Sequence, residues 1–157
     1  MPRITPNLWF DTQSQEAAEF YVSVFPNSKI KNVSYYTEAG PRPAGTVLTV
    51  DFVLDGNEFT AINGGPEFTF DEAISFLIPC ADQEEIDYYW KKLSEGGEEG
   101  PCGWLKDKYG VSWQVAPAAM GEMINDPDRG RVARAMRAMF GMKKIDIAAL
   151  QAAADQE

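Results

Sequence analysis

Residues 73–97, AISFLIPCADQEEIDYYWKKLSEGG, decide the fold. Ile74, Phe76 and Ile78 alternate with Ser75, Leu77 and Pro79, which is the two-residue period of a strand over residues 73–80. Asp82 is followed three residues later by Glu85, the spacing of a helix-opening capping box. Ile86, Tyr89, Trp90 and Leu93 then fall at i, i+3, i+4 and i+7, on one helix face, until Gly96-Gly97 stops the run. Short strands are predicted at residues 98–102 and 104–108. Tyr109-Gly110 turns the chain into a last strand at 111–116, before Pro117. The unit reads βαβββ.

The same order precedes it. Residues 4–10 are apolar and aromatic, and Asp11-Thr12-Gln13-Ser14 opens a helix that places Ala17, Phe20, Tyr21, Val24 and Phe25 on one face. Pro26-Asn27 ends that helix, and strands are predicted at 29–37, 46–54 and 58–63. A loop at 40–45 separates the first two, and the Asp55-Gly56 hairpin joins the last two. Laid on the second unit, Glu16, Phe20, Tyr21 and Val24 match Glu85, Tyr89, Trp90 and Leu93. At the hairpins Gly56, Phe59 and Ala61 match Gly110, Trp113 and Val115. One helix covers only one face of its sheet. Two such units predict an α+β fold: tandem βαβββ modules, about 1–63 and 73–117, forming a curved mixed sheet around a cleft.

Residues 118–157 lie outside the repeat and predict a helical C-terminal extension of the same domain. Arg129, Arg131, Arg134 and Arg137 interleave with Val132, Ala133, Met136, Met139 and Phe140 in an amphipathic helix, and residues 143–154 form another. The arginines read as a solvated face, and the methionines as packing or a subunit contact.

Composition excludes much. The 157 residues carry 14 basic and 24 acidic side chains, a net charge of −10, two cysteines and no histidine. No Ser-His-Asp or Cys-His pair and no histidine zinc site can be built. The charge disfavours nucleic acid and anionic lipid. Cys80 and Cys102 make no disulfide framework and read as structural thiols in a reducing compartment. Neither a signal peptide nor a run of about 20 apolar residues is present, so a cytoplasmic protein with no membrane association is expected.

The opening LWFDTQSQEAAEFY, the middle AISFLIPCADQEEIDYYWKKLSEGG, the run GPCGWLKDKYGVSWQVAP and the tail MKKIDIAALQAA resemble the PhnB-like branch of the vicinal oxygen chelate superfamily, which includes glyoxalases, bleomycin resistance proteins and dioxygenases. Members often carry the name 3-demethylubiquinone-9 3-methyltransferase. The sequence has no strand-turn-helix glycine loop for a nucleoside cofactor, because Asn63-Gly64-Gly65 leads into Pro66. The resemblance implies a homodimer and a cleft metal held by the first and last strands of each module. Those positions fall near Pro6, Thr60, Ser75 and Gln114, with Asn7 one residue from the first, and none is anionic. A cleft that binds a small organic molecule without a tightly held metal or any cofactor is therefore expected.

Its candidate lining is Asn7, Trp9, Thr60, Asn63, Ser75, Trp104, Trp113 and Gln114. No catalytic residue is assigned. Trp9 and Trp113 read either as core or as a stacking wall for a planar or cationic ligand. Glu58 is the carboxylate nearest the cleft by sequence, and Lys106 and Arg42 are the candidate anion anchors. Two alternatives stay open: a metabolite-processing enzyme, methyl transfer included, with a weak metal or acid/base pair, and an interaction module acting through the C-terminal helices.

Overall fold

A computed structural model describes residues 2–156. The chain forms two compact units, dividing between Phe70 and Asp71.

The first unit consists of strand β1 (Asn7–Phe10), helix α1 (Ser14–Val24) and strands β2 (Lys29–Tyr35), β3 (Val47–Leu54) and β4 (Asn57–Asn63). Its sheet has the order β1-β4-β3-β2, with β1 parallel to β4 and the other pairs antiparallel. The β3–β4 turn, Asp55-Gly56, takes positive φ at both residues (46° and 85°), the primed turn whose twist matches that of the strands it joins. Helix α1 buries Ala17, Ala18, Tyr21 and Val24 against Leu8, Phe10, Val50, Phe52, Leu54 and Ala61. The Tyr21 and Phe52 rings stack with centroids 6.2 Å apart.

The second unit repeats the pattern. Its βαβββ module consists of β5 (Ser75–Cys80), helix α2 (Gln83–Ser94), β6 (Glu98–Glu99), β7 (Trp104–Lys106) and β8 (Ser112–Pro117), in the order β5-β8-β7-β6, and the C-terminal extension belongs to the same unit. Strand β5 is parallel to β8 and the remaining pairs are antiparallel. The capping box forms. The Asp82 carboxylate accepts from the Glu85 amide at 2.9 Å, while the Glu85 carboxylate accepts from the Ala81 amide at 3.3 Å. The predicted helix face, Ile86, Tyr89, Trp90 and Leu93, is buried. Strand β6 ends earlier than periodicity predicts because residues 100–103 turn away to meet the extension, and β7 ends at Lys106 because Asp107 opens the turn into β8.

That extension holds α3 (Met120–Ile124), which the sequence reading missed, α4 (Arg129–Phe140) and α5 (Ile147–Asp155). Hydrogen bonds tie it to the β5–β8 module within the same unit, among them that of the Ala118 amide to the Cys80 carbonyl at 2.7 Å. The amides of Cys102 and Gly103 donate to the carbonyls of Met142 and Lys143, both at 2.8 Å. The Gln83 amide group donates to the Ile145 carbonyl at 2.9 Å and accepts from the Ile147 N–H at 2.8 Å. Ile145 is 1% exposed at this seam. The arginines of α4 correct the expectation of a merely solvated face. Arg134 donates through Nε and Nη2 to the Ala154 carbonyl at 3.2 and 2.9 Å, and Arg131 pairs with Asp155 and Asp126. Both place cations where the last carbonyls of α5 are exposed. Among the described residues no helix is long and apolar enough to cross a membrane.

Candidate functional site

Each sheet has one face under its own helix and one face opposite it, and the strand registers decide which side chain goes where. In the first unit Asn7 pairs with Thr60, Thr60 with Asp51, and Asp51 with Asn32, so a polar row crosses all four strands on the face opposite α1. The Thr60 hydroxyl lies 2.7 Å from Asp51 Oδ1 and donates to it. Trp9 and Ile62 stand in the next row of that face. Trp9 is pinned there: its Nε1 donates to the Gly65 carbonyl at 2.9 Å, and Phe68 meets its ring edge-on with centroids 5.1 Å apart. Gly64 lies directly beneath the indole, where a Cβ would sit 2.3 Å from Cζ2. The Gly64-Gly65 pair therefore serves tryptophan packing.

In the second unit the corresponding rows are Ser75, Ser112, Lys106 and Glu98, then Leu77, Gln114 and Trp104, all opposite α2. Gln114 Nε2 donates to Ser75 Oγ at 2.8 Å. Lys106 forms an ion pair with Glu72, whose carboxylate holds the ammonium above its ordinary pKa. A groove of about 600 Å³ opens beside these strands, lined by Trp104, Lys106, Ser112, Glu98, the 100–102 turn and Phe140 of α4.

Two of the eight expected cleft residues need correction. Asn63 shares the helix side of β4 with Ala61 and is 7% exposed; its Oδ1 accepts from the Ser14 amide at 2.8 Å and its Nδ2 donates to the Val47 carbonyl at 3.1 Å. It fastens the start of α1. Trp113 lies on the α2 side of β8 with Val115 and is 3% exposed, and its Nε1 donates to Asp107 Oδ2 at 2.9 Å. The other six stand opposite the helices, Asn7, Trp9 and Thr60 on the first sheet and Ser75, Trp104 and Gln114 on the second.

Glu58 also lies opposite α1, where Lys31 at 2.8 Å and Arg3 at 3.9 Å surround it, and Lys31 above all lowers its pKa. Arg42 is spent on Asp11 at 3.1 Å. Cys80 is buried, and that burial, with the carboxylates of Glu85 and Asp82 nearby, pushes its thiol up to about 12, so it is no nucleophile near neutrality. The sequence reading missed Asp51 and Asp107. Asp51 was legible as the only charged position in its strand, and Asp107 as the acceptor of an Asp-x-Tyr-Gly turn.

The residues present do not fit the superfamily's metal. Pro6 offers only its carbonyl, which accepts from the Thr60 amide at 3.0 Å, and Thr60, Ser75 and Gln114 are neutral groups satisfied within their own modules. Among the described residues no group of three His, Cys, Asp or Glu could hold an ion.

The family model described as 3-demethylubiquinone-9 3-methyltransferase matches residues 2–116. A putative 3-demethylubiquinone-9 3-methyltransferase, PhnB protein, from Bacillus cereus is 40% identical, with a TM-score of 0.65 over 73% of this chain and 98% of that one. A Pseudomonas aeruginosa protein of 19% identity shares the fold at a TM-score of 0.62, over 74% of this chain and 98% of that one. The fosfomycin resistance protein FosX of Listeria monocytogenes, 15% identical, shares it at 0.54, over 79% and 97%. Among the curated proteins none matches. The chain thus belongs to the 3-demethylubiquinone-9 3-methyltransferase family, the PhnB-like branch of the vicinal oxygen chelate superfamily.

Proposed function

We propose that the protein binds a small organic molecule, without a tightly held metal, on the sheet faces that its helices leave uncovered. The groove of about 600 Å³ beside Trp104, Lys106 and Ser112 carries this reading. It has the size of a small-molecule site and combines an aromatic wall with a few polar groups able to orient a ligand. The neutral, internally bonded Thr60, Ser75 and Gln114 favour binding without an ion, because no anion is present among them to offset dehydration of a divalent cation. The methyl transfer in the family's name gains no support from the Gly64-Gly65 run, which is occupied by Trp9. The working form is a cytoplasmic homodimer, and a monomer by light scattering would sink that part.

The test is thermal-shift screening of dialysed protein against Zn, Ni, Mn and Fe salts and a library of metabolites and drugs. A ligand at one hundred times its Kd adds about 2.7 kcal/mol, which raises the Tm of a chain this size by roughly 5–10 °C. Organic ligands should produce that rise, and Trp104→Ala should abolish it. Stoichiometric metal retained after dialysis, or stabilisation by metals alone, would refute the reading and favour a metal-dependent enzyme.

A further inference from the structure

Phe140 is a large apolar side chain, 61% exposed at the end of α4, and it stands at the rim of the groove that Trp104 walls. The segment matched by the family model ends at residue 116, so this wall comes from outside it. Its placement is enforced. The chain leaving α4 is caught two and three residues later, where Met142 and Lys143 accept backbone hydrogen bonds from Cys102 and Gly103, and Ile145 is then buried. The two bonds bring the end of α4, and Phe140 with it, beside the 100–102 turn of the groove.

The charge of the groove is one-sided. Glu72, Glu98 and Glu99 line it against a single cation, Lys106. Lys106 is engaged by Glu72, and Glu99 accepts from Trp90 Nε1 at 2.9 Å on the helix side. Glu98, in register with Lys106 on the groove side, acts on the same ammonium but without a hydrogen bond to it, so the groove keeps excess negative charge there. Two aromatic rings beside an excess carboxylate favour a flat body that carries positive charge, through stacking, ring–cation attraction and a negative local potential.

We propose that the C-terminal extension completes a ligand site on the second module, in which Phe140 and Trp104 wall a planar organic cation and Glu98 supplies its counter-charge. This rests on the small-molecule reading above and narrows it to one groove and one ligand class. Anions are excluded by the carboxylates, and an apolar neutral compound forgoes the Glu98 interaction.

The test uses the full-length protein in fluorescence titrations with two probes, the planar cation thioflavin T and the anion anilinonaphthalene sulfonate. Thioflavin T should saturate at one per chain. Phe140→Ala and Trp104→Ala should each weaken it about tenfold, and Glu98→Gln should weaken it several-fold and flatten its salt dependence. Phe140 is exposed, so circular dichroism of Phe140→Ala should match the parent. Equal or tighter binding of the anion overturns the ligand class, and unchanged affinity in Phe140→Ala overturns the role of the extension. If no planar cation binds while neutral or anionic members of the screen stabilise the protein, this proposal fails and the broader reading stands. If nothing in the screen binds, both fail.

Discussion

Replacing Asp107 by Asn separates a structural role for Trp113 from a ligand-binding one. Asp107 is 2% exposed, and its carboxylate accepts from the Tyr109 amide at 2.8 Å and the Val111 amide at 3.1 Å on Oδ1, and from Trp113 Nε1 at 2.9 Å on Oδ2. Asn has one acceptor oxygen and one NH2 group. In either orientation it sets a buried donor against a donor, either at the indole or at the two amides. Loss of a charge-assisted bond and creation of an unpaired buried donor together cost about 3 kcal/mol. For a chain of this length that lowers the Tm by roughly 6–12 °C. Trp113→Phe keeps most of the apolar volume, removes the indole donor and costs about 1–3 kcal/mol. Because the two groups share one bond, the double variant should lose less than the sum of the singles. Urea and thermal unfolding followed by circular dichroism measure all three. An Asp107→Asn protein within about 0.5 kcal/mol of the parent, or strictly additive singles, would refute the reasoning. Ligand binding supplies the second half of the test: Trp113→Phe should retain the affinity that Trp104→Ala loses.

Three further outcomes are expected. With the Cys80 thiol pushed up to about 12, a thiol reagent near pH 8 should leave Cys80 unmodified in the native protein and modify it after guanidinium unfolding, read by mass spectrometry of the peptides. The same raised pKa means that folding favours the protonated thiol. Its contribution is complete below the unfolded pKa near 9 and is lost as pH rises toward 12, so a Cys80→Ala variant should show a shallower fall in Tm between those values. Gly64→Ala puts a Cβ 2.3 Å from Trp9 Cζ2 and forces the indole off its Gly65 bond, a loss of about 1–3 kcal/mol that Trp9→Ala should partly relieve; equal Tm values for parent and Gly64→Ala would contradict the packing.

Strand and helix order was legible because both modules obey strong local rules: the Asp82/Glu85 cap, the Asp55-Gly56 turn, and apolar residues at helical spacing in α1 and α2. The site was legible only to the extent that parity was respected. Trp113 and Gln114 are neighbours on one strand and cannot face the same way, nor can Thr60 and Asn63, which are three residues apart. The repeat already held the answer. It matches Ala61 with Val115 and Phe59 with Trp113, and in the first module Phe59 stacks on Phe52, which lies beneath α1, with centroids 5.5 Å apart. Trp113, the counterpart of Phe59, lies beneath α2 in the same way. The partners of Asn63, by contrast, are Ser14 and Val47, far from it in sequence, and no local pattern announces them. Phe140 was missed as a groove residue for the same reason, since the Cys102–Met142 and Gly103–Lys143 bonds that place it join segments far apart in sequence.

The internal satisfaction of the polar rows bears on where a ligand gains most. On the first module Asp51 is held by the Thr60 hydroxyl, and on the second Ser75 is held by the Gln114 amide, so a ligand at either row must compete with a bond already made. At the outer strands the balance differs. Lys106 is the single cation against three carboxylates in the lining, and Trp104 and Phe140 leave apolar surface beside them in solvent. A ligand that covers those rings gains about 25 cal/mol for each Å² of apolar surface it removes from water, and a positive charge on it meets Glu98 without first breaking a partner away from the row. Thr60, Ser75 and Gln114 offer no anionic ligand, while Glu72, Glu98 and Glu99 and the aromatic surface of Trp104 and Phe140 lie at the margin where the extension docks. Binding energy should follow them, so Glu98→Gln should weaken a cationic ligand more than Thr60→Val does, and the reverse order would return the site to the first module's face, where Thr60 holds Asp51.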